Sequence, residues 1–301
     1  MKVVSLIALV FVISACSAPQ KQYVKHIAST TPISSDTSFL YSDMPSSHFA
    51  FRGELDFSQM DDEAYTMVYP GEAGFVGLLV GIAAHAITEN QKQNSRGAKK
   101  LAIANRVLLP IQTAIDGVNS ADALSQALEN QIYSLAAYSE GHDTNHAFVL
   151  DFKPVFYVSQ DYSTLRVKNI VSLYSAFEDQ KTEVYRNLIE SVRVLPSGFS
   201  EMQPDQIQAE LQSLTGLLLT ETLGLALDDS TSSLQEKPDF QTFKYLEGGK
   251  LSYSRGRLVR VDCSTLVIRT LRSWIKSIPM SLNKDSELTN ECSEKSLAFN
   301  R

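Results

Sequence analysis

Two mostly apolar runs lie in the first third of the chain, and the clearest two-residue alternation lies beyond residue 147. Val3 to Ile13 is apolar except for Ser5. Ser17 to about Ser47 is rich in Ser, Thr and Pro, with few apolar residues at any period, and predicts a flexible tether. A short strand is predicted near Ala64 to Tyr69, after which Pro70-Gly71 breaks the chain and Glu72 suits the first turn of a helix. The second run, "AGFVGLLVGIAAHAI" from Ala73 to Ile87, places Gly74, Gly77 and Gly81 with Ala73 and Ala84 on one helical stripe. Glycine costs a helix about 1 kcal/mol relative to alanine, so such a stripe implies close packing against another backbone. Helical patterning continues to about Leu109, is interrupted by Pro110, and resumes from Ser120, an expected N-cap, to about Ala137.

Beyond that the period changes. "FVLDFKPVFYVSQ", "TLRVKNIVSLY" and Val184 to Leu195 alternate as strands and predict an antiparallel meander, with Leu165, Val167, Val171 and Leu173 on one face. Pro154 inside the first of these implies an edge or a bulge. Pro204 opens a helix whose Ile207, Leu211, Leu214, Leu218 and Leu225 form one apolar stripe, suited to lying across the sheet. Phe243–Leu246 and Lys250–Ser254 flank the hairpin turn Glu247-Gly248-Gly249, and Arg257–Val261 and Thr265 to about Trp274 extend the meander. The expected fold class is α+β: an N-terminal helical region followed by a mainly antiparallel sheet packed by an amphipathic helix. The expected divisions are a signal peptide over 1–15, a tether over 16–48, a mainly helical region over 49–140, an α+β domain over 141–280 and a polar tail over 281–301.

The N-terminus carries the one family resemblance. Lys2 precedes an apolar run of signal-peptide length, too short for a permanent span, and Ile13-Ser14-Ala15-Cys16 follows it. This segment resembles a bacterial lipobox, and the rest of the chain resembles no characterised family. The resemblance implies cleavage before Cys16 and a diacylglyceryl thioether on its sulfur. Two or more acyl chains, at about 0.8 kcal/mol per buried methylene, hold a protein on a membrane stably. The absence of Asp at position 17, which is Ser17, implies the outer membrane, with the body facing the periplasm.

Composition narrows the partners. The chain has 27 basic and 34 acidic residues, a formal charge of −7, and cleavage would remove only Lys2. Such a chain has no electrostatic reason to bind nucleic acid. With Cys16 lipidated, Cys263 and Cys292 remain as an even pair in an oxidising compartment, and a disulfide between them is expected. The basic run Lys92, Arg96, Lys99, Lys100 and Arg106 follows the glycine-rich segment without an acidic residue among them.

Candidate chemistry is sparse. His142 and His146 in "EGHDTNHAF" have zinc-like spacing but sit in an expected loop without an evident third ligand. His85 is read as a hydrogen-bonded core residue. Ser281-Leu282-Asn283-Lys284 spells S-x-x-K without its companion motifs. The acidic pairs Asp61-Asp62 and Asp228-Asp229 are read as solvated caps at element ends. No catalytic, metal or cofactor-binding residue is therefore assigned. Three functions are expected in descending order: a non-enzymatic lipid-anchored envelope protein that binds a protein partner, a membrane-active or oligomer-forming protein using residues 73–87, and a periplasmic hydrolase or metal enzyme.

Overall fold

The computed structural model describes residues 24–29, 33, 37, 39–41, 49–54, 91–131, 135–137, 148–175, 182–231, 234, 236–261 and 264–284, with backbone alone for 91–97 and 135–137. Its elements in chain order begin with β1 (Phe39–Tyr41), β2 (Ala50–Gly53) and α1 (Gln91–Ala104), the last running into a 3-10 turn at Asn105–Ile111. Then come α2 (Gln112–Asp116), α3 (Ser120–Glu129), β3 (Leu135–Ala137), β4 (Phe148–Val158), β5 (Thr164–Ser175) and β6 (Thr182–Val194). The long helix α4 (Pro204–Ser230) leads to β7 (Phe240–Glu247), β8 (Lys250–Val261), β9 (Thr265–Thr270) and β10 (Ile275–Pro279). All ten strands form one mixed, mostly antiparallel sheet in the order β3-β1-β4-β5-β6-β10-β9-β8-β7, with β2 also on β4. The fold is α+β.

The predicted helix forms for the predicted reason. Pro204 occupies the first turn, where its missing N–H is not needed, and Gln203 with Gln206 makes a reciprocal capping box. Ile207, Leu211, Leu214, Leu218 and Leu225 are all buried. They share one core with Leu165, Val167, Val171 and Leu173 of β5 and with Val107, Ile111, Ala123 and Ala127 of the smaller helices. Truncating any of these leucines to alanine removes about 2–5 kcal/mol.

The opposite face has a smaller core of Phe243, Tyr245, Leu258, Leu266, Ile268 and Ile278. It exists because β7 to β10 curl over. Tyr245 bridges Asn283, and Lys284 N–H donates to Lys244 O at 2.8 Å, so the chain leaving β10 returns to β7. The turn between β7 and β8 holds Gly248 at φ 55° and Gly249 at φ 71°, conformations that favour glycine and fit a tight hairpin.

Several expectations change. The predicted meander stops at about Trp274; beyond it β10 adds a strand that lies between β9 and β6 and runs parallel to β6, Ile275 opposite Ile189. The tether does not extend to residue 48. Ile27 exchanges two backbone hydrogen bonds with Arg186, Trp274 Nε1 donates to Val24 O at 2.9 Å, and β1 pairs with β4. The sheet thus takes strands from both sides of the expected divisions at residues 48 and 140. Residue 283 is no loose tail either, since Asn283 is buried.

The N-cap of α3 is Asn119, whose side chain accepts from Ala121 and Asp122, rather than Ser120. That helix stops at Glu129, short of Ala137, and Leu135–Ala137 is a strand. Pro154 does sit at a local edge: β1 covers Phe148–Leu150 and β2 covers Val155–Val158, so the proline falls in the gap between them. The strand expected at Ala64–Tyr69 lies outside the described residues.

Candidate functional site

Most residues singled out in the sequence (Cys16, Gly74, Gly77, Gly81, His85, His142, His146, Cys263 and Cys292) lie outside the described residues, as do Asp61 and Asp62. Ser281 and Lys284 are both exposed, and the backbone of Lys284 serves the bridge to β7. Among the described residues, no group of three His, Cys, Asp or Glu could hold a metal ion, and no helix is long and apolar enough to cross a membrane.

The sheet face turned away from α4 holds a buried charge network that the pattern of residues did not announce. Cross-strand register sets Lys168 of β5 and Lys276 of β10 on either side of Glu190 of β6, each ammonium 3.5 Å from its carboxylate. Arg166, two places along β5 on the same face, pairs with Glu54 at 2.6 Å and with Glu247 at the end of β7. Lys276 completes the ring by donating to Glu247 at 3.0 Å and to the Tyr245 hydroxyl at 2.9 Å. Three cations thus meet three carboxylates, and the sum is zero.

Burial works against the charges of Arg166 and Lys276, but the carboxylates around them outweigh it, and both pKa values rise. Burial would also raise Glu190; Lys168, Lys276 and Arg166 overcome this and bring it down to about 2. Glu247 is lowered against burial in the same way, by Arg166 and Lys276. Glu54 alone goes the other way: burial raises it, and Arg166 offsets only part of that. A network so balanced holds β7 over the sheet.

Polar contacts also lace the seam between α4 and the sheet. Glu221 accepts from Ser191 and Ser277, each at 2.5 Å, and pairs with Arg193 at 2.7 Å. Asp229 is not a solvated cap. It accepts from Tyr185 at 2.9 Å, Asn187 at 2.8 Å and Arg269 at 2.7 Å, with His26 Nε2 3.9 Å away. Burial lowers the pKa of His26, and the Asp229 carboxylate opposes this without overcoming it. The sequence signal for Asp229 was position alone, near the end of α4, where a carboxylate normally finds water.

A cleft of about 330 Å³ opens between β2 and the small helices, lined by Phe49, Phe51, Leu108, Gln112, Ile115 and Asp116. Its floor is ordered by aromatic packing, Phe49 and Phe51 lying 5.3 and 5.2 Å from the Phe156 ring. Its wall depends on Gly53. A Cβ there would come within 1.8 Å of Ala104 O, so only glycine lets β2 approach the start of the 3-10 turn this closely. Gly53 N–H donates to Asn105 Oδ1 at 2.9 Å, and the Tyr162 hydroxyl donates to Val107 O at 2.5 Å. At the rim Gln112 donates to Asp116 at 2.7 Å, and Leu109, next in the chain to Leu108, is 71% exposed. A concavity with an aromatic floor and a lining about half polar suits a side chain that is apolar at its tip and polar at its base.

No protein-family model matches the chain, and no curated protein matches it significantly.

Proposed function

We propose that this chain is a non-enzymatic, lipid-anchored envelope protein, held through Cys16 on the periplasmic face of the outer membrane, which binds a protein partner through the Phe49–Phe51 cleft. The cleft carries the proposal: a concavity floored by Phe49 and Phe51, with the 71% exposed Leu109 beside it, is a place where one anchor residue of a partner can be buried. The described buried acids and bases pair with one another, which favours binding over catalysis.

Val24 is already packed, so Cys16 stands only eight residues from the folded body. At about 3.5 Å per extended residue the lipid lies within about 28 Å of Val24, and a partner must be met near the membrane. Photocrosslinking from Leu109 in intact cells, followed by mass spectrometry, tests the proposal. It expects a second envelope protein joined to the chain, lost when Phe51→Asp fills the cleft with charge. Capture of only a second copy of the chain would replace it with self-association. Release of Cys16→Ser from the membrane fraction tests the anchor separately.

A further inference from the structure

The outer face of the β7–β8 hairpin has a composition unlike the rest of the chain. Register sets Phe240 opposite Arg257, Thr242 opposite Arg255, Lys244 opposite Tyr253 and Leu246 opposite Leu251, and opposed residues share a face. That face therefore carries three cations, two aromatic rings and two leucines; Arg257 is paired with Glu236 at 3.3 Å and lies 4.4 Å from the centre of the Phe240 ring, which leaves Lys244 and Arg255 as its solvent-facing cations. Phe240, Leu251 and Tyr253 are 47%, 50% and 59% exposed, and Lys244 and Arg255 are exposed as well. The hairpin's other face is committed, since Phe243 and Tyr245 belong to the second core and Glu247 to the charge network. Residues 237–260 hold six basic and two acidic side chains, in a chain whose total is −7. Positive charge is thus gathered on one hairpin of an acidic protein.

We infer that this face is the surface by which the folded body lies on an anionic phospholipid bilayer. Lys244 and Arg255 would meet the phosphates, while Tyr253, Leu251 and Phe240 enter the headgroup layer. Exposed tyrosine and leucine among cations is the composition that settles at that layer. Charge complementarity selects the lipid: an anionic surface attracts these cations and a zwitterionic one does not. An acidic protein could match the charge, but it gives no reason for large apolar side chains left half exposed between the cations.

The path of the chain agrees. Trp274 Nε1 binds Val24 O, Trp274 O accepts from Thr270 N–H, Thr270 pairs with Gly256, and Gly256 pairs with Gln241. The point where the chain enters the fold is therefore about three strand spacings, or about 15 Å, from the Phe240–Arg257 end of the hairpin. The Phe240–Arg257 end of the basic face thus lies beside the entry of the tether, and the face runs from there to the turn at Gly248, which lies against Ser159. The inference rests on the lipid-anchored reading for what brings the body to a bilayer, and its test is separable because it needs no acyl chain.

The test uses residues 16–301, the chain that the expected cleavage leaves, with Cys16→Ser, so that neither lipid nor the apolar run Val3–Ile13 is present, and two sets of vesicles. One is phosphatidylcholine alone; the other carries about one third phosphatidylglycerol, an anionic fraction sufficient for electrostatic attraction. The chain should sediment with the anionic vesicles in preference to the neutral ones, and high salt should abolish the preference. At about fivefold in affinity for each cation at an anionic surface, Lys244→Gln with Arg255→Gln should weaken anionic binding about 25-fold. Tyr253→Ser should weaken it further. These positions are exposed, and unchanged thermal unfolding of each variant confirms that the fold persists. Equal sedimentation with both vesicle types, or a Lys244→Gln/Arg255→Gln variant that binds as the parent does, overturns the inference whatever becomes of the anchor at Cys16.

Discussion

Glu190 offers the sharpest test of the buried network. Its carboxylate lies between Lys168 and Lys276 and has a pKa of about 2, against an ordinary 4.5. The folded value lies below the unfolded one, so the network's contribution is complete above about pH 4.5 and is lost as pH falls toward 2. The shift corresponds to about 3 kcal/mol at neutral pH, in line with the about 3–5 kcal/mol usual for removing one partner of a buried ion pair. Urea unfolding of the parent and Glu190→Gln across this range measures it. The gap between the two should be about 3 kcal/mol at pH 7, equivalent to roughly 6–12 °C in Tm, and should close as pH approaches 2. Other carboxylates titrate in the same window, but they are common to both proteins and cancel in the difference. A gap independent of pH, or a more stable Glu190→Gln, would refute the account of the network as mutually stabilising charges.

Glu54 predicts the opposite sign. Its folded pKa is raised, so its ionised form opposes folding above pH 4.5, and Glu54→Gln should leave thermal stability at pH 7 unchanged or slightly higher. Asp229→Ala should destabilise by roughly 3 kcal/mol in urea, because Tyr185, Asn187 and Arg269 lose one buried acceptor together. Trp274, the single tryptophan, reports the same transition by fluorescence and also reports whether Val24 stays docked. Gly53→Ala should force β2 from Ala104, lowering Tm by several degrees and weakening partner capture from Leu109 more than Ala50→Ser, a change to a partly buried neighbour on the same strand.

Local pattern carried the elements whose stabilising contacts are local. The stripe from Ile207 to Leu225 gave α4, because a helix buries residues at a spacing visible in one segment. Gly248-Gly249 gave the hairpin, because its turn needs positive φ at both positions. What escaped was non-local. Ile275–Pro279 has only five residues and ends in proline, and its place against Ile189 depends on a parallel pairing more than eighty residues away in the chain.

The charge network was hidden by the same fact. Arg166, Glu190 and Lys276 each lie at a polar position of an alternating strand, and a charge there reads as the strand's solvent side. Only the order β5-β6-β10 turns three apparent surface charges into one buried row. A search for charged residues at matching depth in several strands would have raised the possibility, without saying which strands adjoin.

The network also bears on how the two proposed surfaces cooperate. Tyr245 and Glu247 belong to β7, and through Lys276 and Arg166 they fasten the hairpin to the centre of the sheet. A basic face on a fastened hairpin orients the body once it touches a bilayer, whereas a loose hairpin would bind and leave the body free to rotate. The cleft then takes a defined direction. β2 pairs with Val155–Val158, toward the far end of β4, whereas Ile27 meets Arg186 near the start of β6, beside the end of β5 that pairs with the start of β4. Through Ser172, Arg186 lies level with Asp151, about five residues, or roughly 17 Å at 3.3 Å per residue, from Phe156, the partner of Phe51. Gly248, at the turn of the hairpin, lies against Ser159 and beside Glu54, the residue that follows β2, so the hairpin reaches from near the entry of the chain to the cleft end of the sheet and brings the two proposed surfaces together.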